Sequence, residues 1–349
     1  MVFQHIEEYG NHEQVMFFHE PSVNLKGIIA IHNTSLGPAI GGCRMWPYTS
    51  EKEALIDVLK LSRGMTYKSA AAGLEQGGGK AVIICDPKHK TPELFKTFGR
   101  FIHSLNGAYI TAEDVGTSVE DMQHIRKTTP FVTGLSEQMG GSGDPSPFTA
   151  HSTLVGIKAA VSYKLNRESL EGLKVAVQGM GHVGVYLAEY LLKAGCQISI
   201  CDIFEQKAKD FHKKYPQVKV VDHKHIYDED CDIFSPCALG SVINVETLQR
   251  LKCSIIAGAA NNQLDKLERE YDLRKKNILY APDFVINAGG VINVFVESQG
   301  NYTKEKVEKR IAKIYHVLKE IFTRSEEEKK NPTDVAIEIA NNRIQRKLS

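Results

Sequence analysis

From Leu173 onward the chain alternates short apolar runs with amphipathic stretches, and this rhythm limits the folds open to it more than any other feature. Strands are predicted at 174–178, 197–202, 218–221, 232–234, 254–257 and 278–281, with helices at 182–194 and 204–215 between the first of them. Strands joined by helical crossovers pair in parallel, so the pattern implies a Rossmann-like, doubly wound sheet. Its first turn reads Gly179-Met180-Gly181-His182-Val183-Gly184. A GxGxxG run alone is a weak signal. Here it follows a strand, opens a helix, and precedes an acid, Asp202, about 20 residues on at the end of the next strand. Glycines at 179, 181 and 184 permit a tight turn and close approach of a pyrophosphate to the backbone. The helix start at His182 and Val183 offers N–H groups and positive potential. Asp202 would accept hydrogen bonds from ribose hydroxyls and repel a 2′-phosphate, which favours NAD over NADP; Lys207 and Lys209 oppose that preference. The plainer alternative is a structural glycine turn.

The earlier residues mix strands and helices. Strands are expected at 25–31 and 81–85. Ser50 and Glu53 form a capping-box pair before a helix that carries Leu55, Val58, Leu59 and Met65 on one face. A second helix opens at Thr91-Pro92, with an apolar stripe of Leu94, Phe95, Phe98, Phe101, Ile102 and Leu105. Glycine and proline crowd residues 139–147, which read as a linker. A helix follows over about 149–162, and two amphipathic helices close the chain at about 303–325 and 332–347. The expected organisation is α/β throughout. An N-terminal α/β domain over 1–138 would bind substrate, carry the catalytic groups and oligomerise. A dinucleotide-binding domain would occupy 148–331, with a cleft between the two, and the C-terminal helix (332–349) is placed against the first domain as one option.

Charge and cysteine usage exclude other classes. The 43 basic and 42 acidic residues nearly cancel, so nothing electrostatic draws this chain to nucleic acid or a membrane surface. There is no run of about 18 apolar residues and no signal-peptide pattern at the N-terminus, so a cytoplasmic protein is expected. The seven cysteines are odd in number, scattered and without a CxxC pair, which reads as reduced core thiols rather than disulfides or a metal site.

The chemistry is concentrated before the linker. Lys68 and Lys80 are both embedded among small residues and glycines, in Gly64-Met65-Thr66-Tyr67-Lys68 and Gly73-Leu74-Glu75-Gln76-Gly77-Gly78-Gly79-Lys80. Surface lysines rarely have such flanks. Two ammonium groups in a partly buried cleft repel each other, which favours loss of one proton; one lysine then serves as a base while the other holds a carboxylate. Asp114, just past a strand and before a glycine turn, is a third candidate. Solvated lysines and a turn-capping aspartate are the bland readings.

These segments resemble the glutamate/leucine/phenylalanine/valine dehydrogenase family over most of the chain. The likeness rests on Leu74-Glu75-Gln76-Gly77-Gly78-Gly79-Lys80 running on to Asp86-Pro87, Leu36-Gly37-Pro38-Ala39-Ile40-Gly41-Gly42, Arg63-Gly64-Met65-Thr66-Tyr67-Lys68 and Thr111-Ala112-Glu113-Asp114-Val115-Gly116. Pro236-Cys237-Ala238-Leu239-Gly240, Ala259-Ala260-Asn261-Asn262-Gln263 and Asn287-Ala288-Gly289-Gly290-Val291-Ile292-Asn293-Val294 extend it. The leucine branch is the most similar. The resemblance implies reversible oxidative deamination of an L-amino acid to a 2-oxo acid and ammonium with reduction of NAD. It implies that Lys68 binds the α-carboxylate, Lys80 activates water and Asp114 exchanges protons with the amine. Asn261 and Asn287 would orient nicotinamide or substrate, Thr149 would touch the nicotinamide amide, and Ala238 would line the cofactor site.

Glutamate-specific relatives place a lysine where this chain has Ile40. An apolar Ile40 leaves an acidic side chain unpartnered, and Gly41, Met65, Ala112, Val291 and Val294 complete an apolar wall, so aliphatic, branched-chain substrates are expected. Such a wall separates methylenes by only about 1–3 kcal/mol. Aromatic substrates, phenylalanine or tryptophan, stay open, since Gly42-Cys43-Arg44-Met45 resembles the phenylalanine branch. A hydroxyacid dehydrogenase and an NAD-sensing module are the rivals from other classes. The leucine branch usually carries asparagine where His182 stands; a protonated imidazole there would strengthen pyrophosphate binding. The resemblance further implies a homo-oligomer, an octamer among the sizes it allows.

Overall fold

The computed structural model describes residues 2–347. The chain groups into two units. The first contains the residues up to Pro145, then 291–306, then those from Ile339 on; the second contains 146–290 and 307–338. Residues 291–306, assigned from the sequence to the cofactor-binding domain, therefore belong with the first unit. Lys304, paired with Glu137 at 3.0 Å, and Glu297 on helix Gly289–Ser298 tie them there. The Glu297 carboxylate accepts hydrogen bonds from the backbone N–H groups of Gly134 (3.0 Å), Leu135 (3.2 Å) and Ser142 (2.9 Å).

The first unit is built on a five-stranded sheet: β1 (Gln14–Glu20), β2 (Leu25–Asn33), β3 (Ala39–Trp46), β4 (Gly77–Ile84) and β5 (Tyr109–Glu113), in the order β1-β2-β4-β3-β5. β1 and β2, and β2 and β4, pair antiparallel, whereas β4, β3 and β5 run parallel. One face of the sheet packs Phe95, Phe98 and Ile102 of helix Pro92–Ser104 into a core with Cys43, Met45, Ala81 and Tyr109. On the other face Ala54, Leu55, Val58 and Leu59 of helix Glu51–Ala71 pack on Ile28, Ala30 and Val82. That helix is capped as its sequence signals, with the Ser50 side chain accepting from Glu53 N–H at 3.1 Å. The reciprocal bond differs from the expected box, because the Glu53 carboxylate takes Thr49 N–H at 2.8 Å.

The second unit carries β6 (Lys174–Gln178), β7 (Gln197–Cys201), β8 (Lys219–Val220), β9 (Ile233–Pro236), β10 (Ile255–Ile256) and β11 (Leu279–Tyr280). All pairs are parallel and the order is β11-β10-β9-β6-β7-β8, the doubly wound arrangement predicted from the alternation. Ligands of such sheets bind beyond the strand C-termini where the order reverses, here between β6 and β9. Helix Ser146–Leu165 is longer than expected and starts inside the proposed linker. Gly156 on it sits against Ile286 and Leu318, with no room for a side chain. Among the described residues, no helix is long and apolar enough to cross a membrane.

Candidate active site

Side chains alternate between the two faces of a strand, so register decides which residues meet. β3 sets Ile40 opposite Gly78 on β4 and Ile110 on β5, and Gly42 opposite Ala112. The constant offset between β3 and β4 sets Lys80 opposite Gly42, and β2 sets Ala30 opposite Lys80. Ile40, Lys80, Ala112 and Arg44 therefore share one face, the face covered by helix Glu51–Ala71 with Met65 and Lys68. The glycines keep this surface low. A Cβ on Gly42 would lie 2.5 Å from the Glu113 carbonyl oxygen and one on Gly78 would overlap the Thr66 backbone, whereas Gly41 falls on the opposite face, where a Cβ would overlap the Gly79 carbonyl. The glycine run thus lies inside β4, which begins at Gly77 rather than at the expected residue 81, and Lys80 is held in the middle of the sheet. Ile40 is buried, Met65 and Lys68 are half-buried, and Val291 and Val294 are half-buried on helix Gly289–Ser298 of the same unit.

Lys80, only 6% exposed, meets a carboxylate: its Nζ stands 3.2 Å from Asp114 Oδ2. Arg44 Nε donates to the same oxygen at 3.0 Å. Arg44 Nη1 donates to Asp57 Oδ2 at 2.9 Å, and Tyr48 Oη donates to Asp57 Oδ2 at 2.6 Å. The turn beyond Asp114 is fixed by Thr117, whose hydroxyl accepts from Asp114 N–H at 2.9 Å and donates to the Cys43 carbonyl at 2.9 Å. Burial pushes the Asp114 carboxyl up, but Lys80 and Arg44 outweigh it and hold the group below the usual range. Next to it, burial together with Asp144 and Asp114 raises Glu113 to about 7. The ion pair and Arg44 are what the sequence reading lacked. Arg44 follows the Gly41-Gly42 pair in sequence, but its bond to Asp114 emerges only from the fold.

The nucleotide turn lies in the second unit. Gly179 has φ +101°, a conformation open to glycine, and a Cβ there would crowd Ala238 at 2.8 Å. A Cβ on Gly184 would overlap the Gly179 carbonyl, so the helix can sit on the turn only with glycine there. Gly181 faces open space: nothing lies within 4 Å of where its Cβ would be, directly before the first residues of helix His182–Lys193. This cradle fits a dinucleotide phosphate. His182 is exposed and Val183 half-buried at the helix start. Asp202 Oδ2 accepts from Met180 N–H at 2.8 Å and Oδ1 from Phe204 N–H at 2.9 Å, so the acid also braces the turn. Lys209 is paired with Glu205 at 2.9 Å and Lys207 lies over the Phe204 ring.

A second loop is clamped by amides. Asn287 Nδ2 donates to the Ala259 carbonyl (3.0 Å) and to Asn261 Oδ1 (2.8 Å), and its own Oδ1 is buried without a hydrogen-bond partner. Gln263 Nε2 donates to the carbonyls of Gly258 (2.8 Å) and Ala260 (3.0 Å), while its N–H donates to Asp283 at 3.0 Å. Asn261 and Asn287 are thereby brought together, with Asn261 exposed. Thr149 lies in the first turn of helix Ser146–Leu165, half-buried, its carbonyl accepting from Ser152 and Thr153.

Two family models match the chain: the dimerisation domain of Glu/Leu/Phe/Val dehydrogenases over residues 12–131, and Glutamate/Leucine/Phenylalanine/Valine dehydrogenase over 140–348. A leucine dehydrogenase of Thermoactinomyces intermedius is 50% identical over 322 residues, covering 92% of this chain and 87% of its own. A phenylalanine dehydrogenase of Caldalkalibacillus thermarum is 46% identical over 346 residues, covering 98% and 93%. The crystal structure of L-tryptophan dehydrogenase from Nostoc punctiforme superposes with a TM-score of 0.86 at 44% identity, covering 99% of both chains.

Proposed function

The chain belongs to the glutamate/leucine/phenylalanine/valine dehydrogenase family, and from that premise we propose that it oxidatively deaminates an aliphatic, branched-chain L-amino acid, reversibly and with NAD. The observation that carries the reading is the Lys80–Asp114 pair, 3.2 Å apart on a sheet face shared with apolar Ile40 and Ala112. Overall, amino acid, water and NAD become 2-oxo acid, ammonium, NADH and a proton.

The Gly179–Gly184 turn and Asp202 would hold NAD, with Thr149, Ala238, Asn261 and Asn287 toward its nicotinamide end, and the bound cofactor would supply the acceptor for the α-hydrogen as hydride. Lys68 pairs with the substrate α-carboxylate. Asp114 takes a proton from the substrate ammonium and returns one to the departing amine. Lys80 first releases its ammonium proton to solvent, the proton of the overall equation, and then deprotonates the water that attacks the oxidised α-carbon; its bond to Asp114 lets the two groups exchange protons. A partly buried setting makes each of these charges act more strongly than in water. Ile40 sets the substrate class: it offers an apolar side chain, not a cation, to a side-chain carboxylate that would be desolvated beside it.

Aromatic substrates are the second reading, favoured by the likeness to the Nostoc punctiforme enzyme named as an L-tryptophan dehydrogenase. Self-association is part of the proposal, since residues 12–131 match a model described as a dimerisation domain; an octamer is one size consistent with it. The test is NADH formation with leucine, valine, isoleucine, phenylalanine, tryptophan and glutamate at alkaline pH. Turnover of the branched-chain set, lost in Lys80→Ala, is expected. Preference for phenylalanine or tryptophan would overturn the pocket reading, and no turnover with any of them would overturn the reaction.

A further inference from the structure

Lys80 and Arg44 converge on one oxygen of Asp114, Oδ2. Arg44 is itself held from behind. Asp57 on helix Glu51–Ala71 takes its Nη1, and Tyr48 fixes Asp57. Arg44, Tyr48 and Asp57 line a cavity of about 650 Å³ with Trp46, Lys60 and Val115, so the row runs from the buried carboxylate to a hollow on the far side. An arginine left to itself at such a rim would swing out to water. The planar guanidinium, with Nε on Asp114 and Nη1 on Asp57, is held in by one charge-assisted bond to each carboxylate.

We propose that Arg44, braced by Asp57 and Tyr48, is the positioning residue that holds the Asp114 carboxylate by its Oδ2 in the orientation in which it exchanges protons with the substrate amine. This rests on the reading of Asp114 as the proton-exchanging group. The charged and titratable groups facing Asp114 are Lys80 from β4, Arg44 and Cys43 from β3, Glu113 and Tyr109 from β5, and Tyr48 beyond β3. Of these, Lys80 and Arg44 are the cations. A cation beside a carboxylate favours the ionised form, so loss of Arg44 raises the pH at which Asp114 takes up a proton.

The experiment is the pH profile of kcat/KM for leucine in wild type, Arg44→Met, Arg44→Gln and Arg44→Lys, with thermal midpoints measured on the same preparations. The neutral variants are expected to move the acidic limb upward by about one pH unit. Should Arg44→Met fail to fold, Arg44→Gln keeps a donor without the charge and carries the same expectation. Arg44→Lys restores the charge but not the two fixed bonds, so its limb returns toward wild type while kcat stays about tenfold low. Uniform loss of activity at every pH, with the limb unmoved in the neutral variants, would reduce Arg44 to a packing element and overturn the proposal. Asp114→Asn is assayed alongside: full turnover in that variant would instead sink the reading of Asp114, a failure distinct from an unmoved limb.

Discussion

Two glycine-rich regions make this molecule work, and they use glycine for different reasons. In the second unit, Gly179 bends the chain at positive φ and Gly181 leaves open space before a helix N-terminus. In the first unit, Gly41, Gly42 and Gly78 sit in extended strands where neighbouring backbone lies too close for a side chain. One region is a turn that makes room for a ligand. The other is a sheet pressed flat beneath a helix, with Lys80 rising from it. The lesson is that glycine clusters mark close approach, but register and φ decide what approaches.

The contrast can be broken most sharply at Ile40. Ile40→Lys puts an ammonium on the catalytic face and leaves the nucleotide turn untouched. The leucine-to-glutamate ratio of kcat/KM should fall by at least about 10²-fold, since a buried charge without a partner costs several kcal/mol. NAD affinity should hold. An unchanged ratio would remove Ile40 from the substrate pocket.

Substituting the glycines themselves separates the two roles. Gly41→Ala forces a methyl into the Gly79 carbonyl, and overpacking of about 1–3 kcal/mol should lower the thermal midpoint by about 5 °C or more. Gly181→Ala meets nothing within 4 Å. Its midpoint should stay put while the NAD dissociation constant rises about tenfold, because the methyl enters the phosphate cradle. Equal loss of stability in both variants would erase the distinction.

One buried group in each unit should also answer pH in opposite directions. In the first, burial, then His12 and Arg63, lower His32 to about 4. The unfolded chain then binds the extra proton first, so this contribution to stability is lost as pH falls from about 6.5 toward 4. In the second, burial raises Glu270 to about 7 against the opposing bonds from Thr333, with Asp334 and Asp283 adding to the rise. Here the folded state holds the proton more tightly, so the contribution present below about 4.5 is lost as pH rises through about 7. Thermal midpoints against pH should flatten on the acid side in His32→Gln and above pH 5 in Glu270→Gln. Curves parallel to wild type would contradict the assignments.

Much of this was legible in the residues. Six parallel strands followed from alternation, since each is a short apolar run bounded by turn residues. Lys80 and Asp114 stood out by their glycine neighbours. Other features were hidden by physical causes. Helix Gly289–Ser298 is apolar on nearly every side, so no polar stripe marks it as a helix. Its ties to the first unit include one side chain, Glu297, accepting three distant backbone N–H groups. Arg44 reaches Asp114 across 70 positions of sequence, and nothing local foretells that bond. Gln263 and Asp283 clamp the Asn261 loop through hydrogen bonds spanning up to 20 residues, again invisible to local pattern.

The central claim is that Lys80 and Asp114 together carry the proton chemistry of amino-acid oxidation. It is tested most directly by leucine-dependent NADH formation in Asp114→Asn beside wild type, with NAD affinity determined on both. The account predicts a fall in kcat/KM of about 10²–10⁴-fold with NAD affinity unchanged. Turnover at the wild-type rate in Asp114→Asn would contradict it.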